Sequence, residues 1–148
     1  LSLTRYSAKI KTQQKTSRKS YIIDTGFINA RSFELSPDSG RLLENVVFVE
    51  LMRRHLKPGL DLFYYRTRND REVDFLCRKG HRVEQLIQVC YDITNIKTLN
   101  REIAALLEAG SETGCKKMLL ITWDREEKIE RNGYMIELIP ACKWLCGK

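Results

Sequence analysis

"REVDFLCRKGHRVEQLIQVCYDI", residues 71–93, decides how this chain folds, because it reads as two period-two strands joined through a turn at Gly80. Strict alternation places Val73, Phe75 and Cys77 on one face of the first strand, with Glu72, Asp74 and Leu76 on the other. In the second strand Ile87, Val89 and Tyr91 share a face opposed by Gln88, Cys90 and Asp92. With the connection centred near residue 81, Asp74 lies across from Gln88 and the polar members of both strands converge on one patch. A carboxylate set so deep among apolar residues has to be paired, hydrogen-bonded or used.

Upstream, "LDLFYYRT" adds a third alternating segment. Before it, "SPDSGRLLENVVFVELMRRHLKPG" sets Leu42, Leu43, Val46, Val47, Phe48, Leu51 and Met52 at helical spacing up to Pro58-Gly59, predicting one long, largely buried helix. "KSYIIDTGF" predicts a short strand through Tyr21 and Ile23, broken at Asp24 and Gly26, where the organised domain begins. Downstream, "TNIKTLNREIAALLEAG" predicts an amphipathic helix capped by Thr94 or Asn95 and stopped by Gly110. "KKMLLITWD" is a continuous apolar run between turn signals, as expected of a strand buried on both faces at a sheet's centre. Asn132-Gly133 between alternating segments predicts a tight hairpin, and "ACKWLCGK" a short closing helix. This order of elements gives an α/β domain with a mixed central sheet flanked by helices.

A length of 148 residues matches one domain, and no apolar run is long enough to cross a bilayer, so a soluble protein without a membrane role is expected. Five cysteines, an odd number without CxxC spacing, read as reduced thiols of a cytoplasmic protein, and Cys142 and Cys146 as apolar filler rather than zinc ligands. No signal peptide precedes the domain, and Leu1 reads as the interior of a longer polypeptide. The net charge of +7 is concentrated in Arg5, Lys9, Lys11, Lys15, Arg18 and Lys19, within twenty residues that hold no acid. Residues 1–19 are therefore expected to be a basic linker or the end of a preceding domain, with the domain proper at 20–148. Those six cations are candidate contacts to DNA phosphates, or simply a solvated arm. His55 reads as a helix-end residue and His81 as a turn residue. Trp123, Trp144, Phe27 and the Tyr64-Tyr65-Arg66 stretch read as core rather than as a surface for stacking bases.

The helix from Arg41 to His55 carries Glu44 and Glu50, either of which could lean over the Asp74 patch. Gly40-x-x-x-Glu44 on a helix, Asp74 in a strand, and Gln88-x-Cys90 in the next strand, followed by a helix, resembles the nuclease fold named for its PD-(D/E)XK motif. In that superfamily a helix glutamate, a strand aspartate and a Glu-x-Lys pair hold magnesium and activate water against a phosphodiester. More narrowly, "KSYIIDTGF", "GRLLENVVFVEL", "FYYRTRNDREVDFL", "LIQVCYDI", "NREIAALLEA" and "IELIPACKWL" occur in order. Together they resemble a C-terminal domain of unknown function found in prokaryotic P-loop ATPases of the AAA class. The resemblance implies an ATPase domain N-terminal to Leu1 as a partner in the same polypeptide. No GxxxxGK[ST] loop occurs here, so this chain alone is expected not to hydrolyse ATP.

Carried over residue by residue, the resemblance implies Asp74, Gln88 and Glu44 as the magnesium and catalytic groups, helped by the carbonyl of Val89. Lys97 or Arg101 would return a cation from the following helix. The departures are chemical. Gln88 offers a neutral oxygen where a nuclease has glutamate, and Cys90 offers neither a hard ligand nor a fixed charge in place of lysine. The favoured reading is therefore a nuclease-like module that has lost its catalysis and serves nucleic-acid binding or coupling to the ATPase. The alternatives are an active magnesium-dependent DNA endonuclease and a protein–protein interaction module. For Asp74 itself, a plain ion pair with Arg68, Arg71 or Arg101 is the structural alternative.

Overall fold

A computed structural model describes residues 1–7, 17–23 and 39–147. The elements run β1 (Ser2–Thr4), β2 (Arg18–Ser20), α1 (Ser39–Arg53), β3 (Leu62–Arg66), β4 (Glu72–Lys79), β5 (Arg82–Val89), α2 (Ile96–Thr113), β6 (Met118–Thr122), β7 (Glu127–Arg131), β8 (Tyr134–Pro140) and α3 (Ala141–Cys146). Six strands form one sheet in the order β3-β4-β5-β6-β8-β7. β6 lies parallel to both neighbours, β5 and β8, and the remaining pairs are antiparallel, which makes the sheet mixed.

The apolar run 118–122 occupies the middle of this sheet with all five residues buried, because α2 supplies the crossover that parallel pairing requires and covers one face. Even-numbered residues of β5 and β6, including Leu86, Met118 and Leu120, pack under α2 with Ile103 and Leu106. Odd-numbered Ile87, Leu119 and Ile121 pack on the other face with Val47, Phe48 and Leu51 of α1 and Trp144 of α3. The domain is a three-layer sandwich with an apolar core on each side of the sheet. At the far edge Asn132 and Gly133, at φ 53° and 75°, close the β7–β8 hairpin as the Asn-Gly pair predicts.

Four local expectations change. Strict alternation fails in β4: the pairing with β3 slips between Phe63/Leu76 and Tyr65/Val73, leaving Asp74 and Phe75 together opposite Tyr64. This bulge puts Val73 and Leu76 into the α2-side core, and Phe75 and Cys77 into the α1-side core. Gly110 does not stop α2, which continues to Thr113 and ends at Gly114 with φ 72°. Gly110 instead lets the helix lie against Met118 and the Cys115 carbonyl, where a Cβ would collide. The early strand is Arg18–Ser20 rather than Tyr21–Ile23, and Tyr21 turns inward to stack on Phe48 with ring centroids 4.0 Å apart. Trp123 is 55% exposed, whereas Trp144 is buried as expected. Asp24, Gly26 and Phe27 lie outside the described residues.

The ends of the supposed linker are part of the structure. Ser2–Thr4 pairs with Arg18–Ser20, Arg5 bridges to Tyr64 of β3, and Leu3 is wholly buried in the α1-side core. Cys77, Cys90, Cys115, Cys142 and Cys146 are all free thiols. Among the described residues no helix is long and apolar enough to cross a membrane.

If residues 2–4 belong to the folded unit, Leu3→Ala should lower the unfolding free energy by about 2–4 kcal/mol, as for other buried leucines. Urea denaturation reads this directly, and a change below about 0.5 kcal/mol is what a solvated linker would give.

Candidate functional site

The continuing register Phe75↔Ile87 sets Asp74 opposite Gln88, and the Asp74 backbone N–H donates to Gln88 Oε1 at 3.1 Å. The bulge at 74–75 then turns the Asp74 carboxylate toward α1, while Gln88 follows the even-numbered side of β5 toward α2. There Gln88 Nε2 donates to Glu102 Oε2 at 2.7 Å. The amide and the carboxylate thus meet through one backbone bond and face different helices.

On the α1 side Asp74 joins a cluster built around Lys19. The ammonium lies 2.8 Å from Asp74 Oδ1, 2.8 Å from Glu72 Oε1 and 2.9 Å from Glu44 Oε1. Asp74 Oδ2 accepts the Val89 N–H at 2.9 Å, and the Tyr21 hydroxyl donates to Glu44 Oε1 at 2.6 Å. Arg66 reaches the far side of Glu72 at 3.3 Å and also pairs with Asp70. Glu44, Glu72 and Asp74 all face the one ammonium of Lys19, while Arg66 is shared between Glu72 and Asp70. Burial first, and then the carboxylates crowded around Lys19, set the ionisation behaviour. Burial, opposed by Lys19 and reinforced by repulsion from Glu44, pushes the Asp74 carboxyl up to about 7. Burial would lower the Lys19 ammonium, but Asp74 and Glu44 outweigh it and hold its pKa above the ordinary lysine range. Burial, followed by Glu44, raises the Tyr21 phenol so that it stays a proton donor.

The groups expected at this site divide. Asp74 and Glu44 come together, and Gln88 touches Asp74 only through the backbone. Glu50 is held by Arg53 and Arg54 on the outside of α1. Arg101 binds Glu102 at 2.6 Å rather than Asp74, so it reaches Gln88 only through that glutamate. Lys97 is exposed, and its backbone N–H is capped by Asn95. Arg71 pairs with Glu108 and Arg68 is exposed at the surface, so neither supplies the plain ion pair to Asp74. Cys90 donates to the Asp92 carbonyl, and burial, with Glu102 adding to it, pushes the thiol up to about 11, leaving it neutral. Of the six arm cations, Lys19 sits among carboxylates instead of facing phosphates, Arg5 donates to the Arg66 carbonyl, and Arg18 is exposed. Lys9, Lys11 and Lys15 lie outside the described residues.

A magnesium ion does not fit the expected ligand set. The Gln88 oxygen is engaged by a backbone N–H. The one point where Asp74, Glu44 and Glu72 converge holds an ammonium. Among the described residues no group of three His, Cys, Asp or Glu is arranged as a metal site. Sequence reasoning missed Lys19, Tyr21, Glu72 and Glu102 as members of this network. Glu102 carried a readable sign: it lies on the apolar stripe of Leu99, Ile103 and Leu106 and is buried.

Comparison with known proteins places the chain in a family. Residues 39–144 match the model described as Domain of unknown function (DUF4143), and the chain belongs to that family. It is 38% identical to the uncharacterized protein MJ1544 of Methanocaldococcus jannaschii over 96% of this chain and 32% of that protein. It is 29% identical to an uncharacterized protein of Haemophilus influenzae over 95% of this chain and 32% of that one. The chain therefore spans about a third of the length of the curated relatives it matches. A chain in the assembly of Thermococcus gammatolerans McrB AAA+ hexamers with bound McrC shows a distant likeness. It is 12% identical at TM-score 0.45, covering 70% of this chain and 28% of that one.

Two outcomes follow from the cluster. Lys19→Met leaves three carboxylates facing one another and should destabilise the domain by about 3 kcal/mol at pH 7.5. Adding Asp74→Asn should restore part of that loss, whereas additive effects in the double-mutant cycle would disprove the coupling. The Asp74 carboxyl is raised from 3.8, so between about pH 4 and pH 7 the folded chain holds a proton that the unfolded chain has released. Stability from this group is present at the acid end and declines as pH rises through that window. Denaturation midpoints compared across the window should show this downward contribution in wild type and its loss in Asp74→Asn.

Proposed function

We propose that this member of the family is a nuclease-like module of a longer P-loop ATPase, no longer catalytic, that serves the whole protein through nucleic-acid binding or coupling to the ATPase. The observation that carries the reading is the Lys19 ammonium held by Glu44, Glu72 and Asp74 at 2.8–2.9 Å. It turns the oxygens a catalytic metal would need into a structural ion cluster. The neutral Gln88 and Cys90 in the Glu-x-Lys positions point the same way. Conserving a fold while its site changes use is ordinary, since fold and chemistry are separable. The ATPase partner is supported by the resemblance of the six ordered blocks and by the chain's spanning only a third of its relatives.

One observation favours the second reading, an active magnesium-dependent endonuclease. The cation that Cys90 cannot supply is delivered 2.8 Å from Asp74 by Lys19. The two readings separate cleanly. Supercoiled plasmid incubated with the domain and Mg²⁺ or Mn²⁺ should remain uncut, and Asp74→Ala should change nothing. Metal-dependent nicking that disappears in both Asp74→Ala and Lys19→Met would replace the proposal with the endonuclease. For the coupling arm, ATP turnover by the full-length protein should change when this domain is removed, with or without added DNA. Equal rates under both conditions would refute coupling.

A further inference from the structure

Away from the carboxylate cluster, the α2 side of the β3 edge carries an open cleft of about 840 Å³ in whose lining Lys and Arg outnumber acidic residues. Arg5, Arg66, Arg68, Lys79, His81 and Arg82 line it, and the only carboxylate among its lining residues is Glu112. Glu112 is already engaged, accepting from the Tyr65 hydroxyl at 2.7 Å and the Arg68 backbone N–H at 3.0 Å. It holds the wall in shape and keeps its negative charge, which offsets one of the five Lys and Arg charges in the lining. Arg68, Lys79 and Arg82 are exposed and point their charge at solvent. Two half-buried aromatic rings, Tyr6 and Tyr65, lie in the same wall with centroids 6.2 Å apart, backed by Phe63.

The cations are spread out rather than gathered at a point. Arg66 pairs in register with Glu72 at one end of β4, and Lys79 closes the other end. At about 3.3 Å per residue, those ends stand roughly 23 Å apart. That spacing is too long for the phosphates of one mononucleotide and suits a backbone bearing a phosphate on every residue. Aromatic side chains among spaced cations are the combination that tracks unpaired nucleotides without reading sequence.

We propose that this cleft binds a single strand of nucleic acid, with Arg68, Lys79 and Arg82 on its phosphates and the Tyr6–Tyr65 wall beside its bases. The proposal rests on the nucleic-acid arm of the function above and supplies a surface for it other than the N-terminal arm. No part of it requires the Asp74 cluster to be catalytic or inert.

The test uses this chain and a fluorescein-labelled oligothymidylate, with anisotropy titrations across a salt series. Arg68→Glu with Arg82→Glu should weaken binding at least tenfold and reduce the slope of log affinity against log salt by about 1.4, two contacts at roughly 0.7 each. Arg68→Ala with Arg82→Ala should do the same more mildly, and thermal melting of each pair checks that the fold persists. The control is Lys128→Glu with Arg131→Glu, which changes net charge equally but lies on β7, at the opposite edge of the sheet. It should leave affinity within about twofold. Equal losses in the two reversal pairs, or no binding by wild type, would overturn the proposal. So would displacement of the strand by millimolar ATP as effective as unlabelled oligonucleotide, which would mark a mononucleotide pocket. Nicking and ATP turnover are measured separately, so failure here leaves the coupling reading standing, and nicking there leaves the cleft standing.

Discussion

The ammonium of Lys19 is the point on which three distant stretches of sequence depend. It draws β2, Glu44 of α1, and Glu72 and Asp74 of β4 onto one centre, over sequence separations that no local propensity could bridge. Around it, Tyr21 stacks on Phe48 and hydrogen-bonds Glu44, while the Asn45 side chain clasps both the N–H and the carbonyl of Ile22. The chain after β2 is thereby fastened along the first turns of α1. Removing several charges from water is costly, and an apolar replacement of similar shape would often be as stable. The cluster ties the seating of α1 to that of the N-terminal strands, because Lys19 reaches carboxylates on both α1 and β4. The apolar cores, which tolerate sliding more readily, do not specify this by themselves.

Much of the layered architecture could be read from periodicity, because its elements owe their form to burial. The run 118–122 reads as a central strand, since four consecutive apolar residues precede Thr122 and it is too short for a buried helix. The Asn132-Gly133 turn announced itself through the positive φ its two residues tolerate. Asp74 does stand opposite Gln88 as the hairpin's length suggested, but a register shift between Cys77 and Arg78, unmarked in the sequence, is what brings it there. What was not legible depends on departures from period. The bulge at Asp74 and Phe75 shifts part of β4 to the other face, and nothing in residues 71–79 marks it, because residues 73–77 are buried on both faces. The end of α2 was misplaced because Gly110 reads as a stop when its small size is needed for contact with Met118.

The candidate site was legible in its acids and illegible in its base. Asp74 stood out as a charge among apolar neighbours, and Glu44 lay on the correct helix. Lys19 was hidden by its company: among Arg18, Lys15 and the other cations before it, one lysine looks like all the rest. Only the tertiary structure shows that Lys19 has 20% of its side-chain surface left while Arg18 remains exposed. A basic segment therefore need not be one functional unit. Here one of its members neutralises buried acids and another, Arg5, lines the cationic cleft.

Arg66 gives these two regions a shared group. Arg66 is among the residues that line the cleft, and its guanidinium pairs with Asp70 at 3.0 Å and reaches Glu72 at 3.3 Å, which in turn holds Lys19. A phosphate attracted to Arg66 competes with Glu72 for the same charge. Any loss of that contact leaves Glu72 to draw harder on Lys19, the cation that opposes the burial-driven rise of Asp74. If the cleft takes the proposed strand, an anion at Arg66 and a proton on Asp74 would be linked through Glu72 and Lys19, each favouring the other. Such a chain of ion pairs would give occupancy of that surface a physical route to residues 18–22, which Lys19, Tyr21 and Ile22 fasten to α1, without any change in the apolar cores.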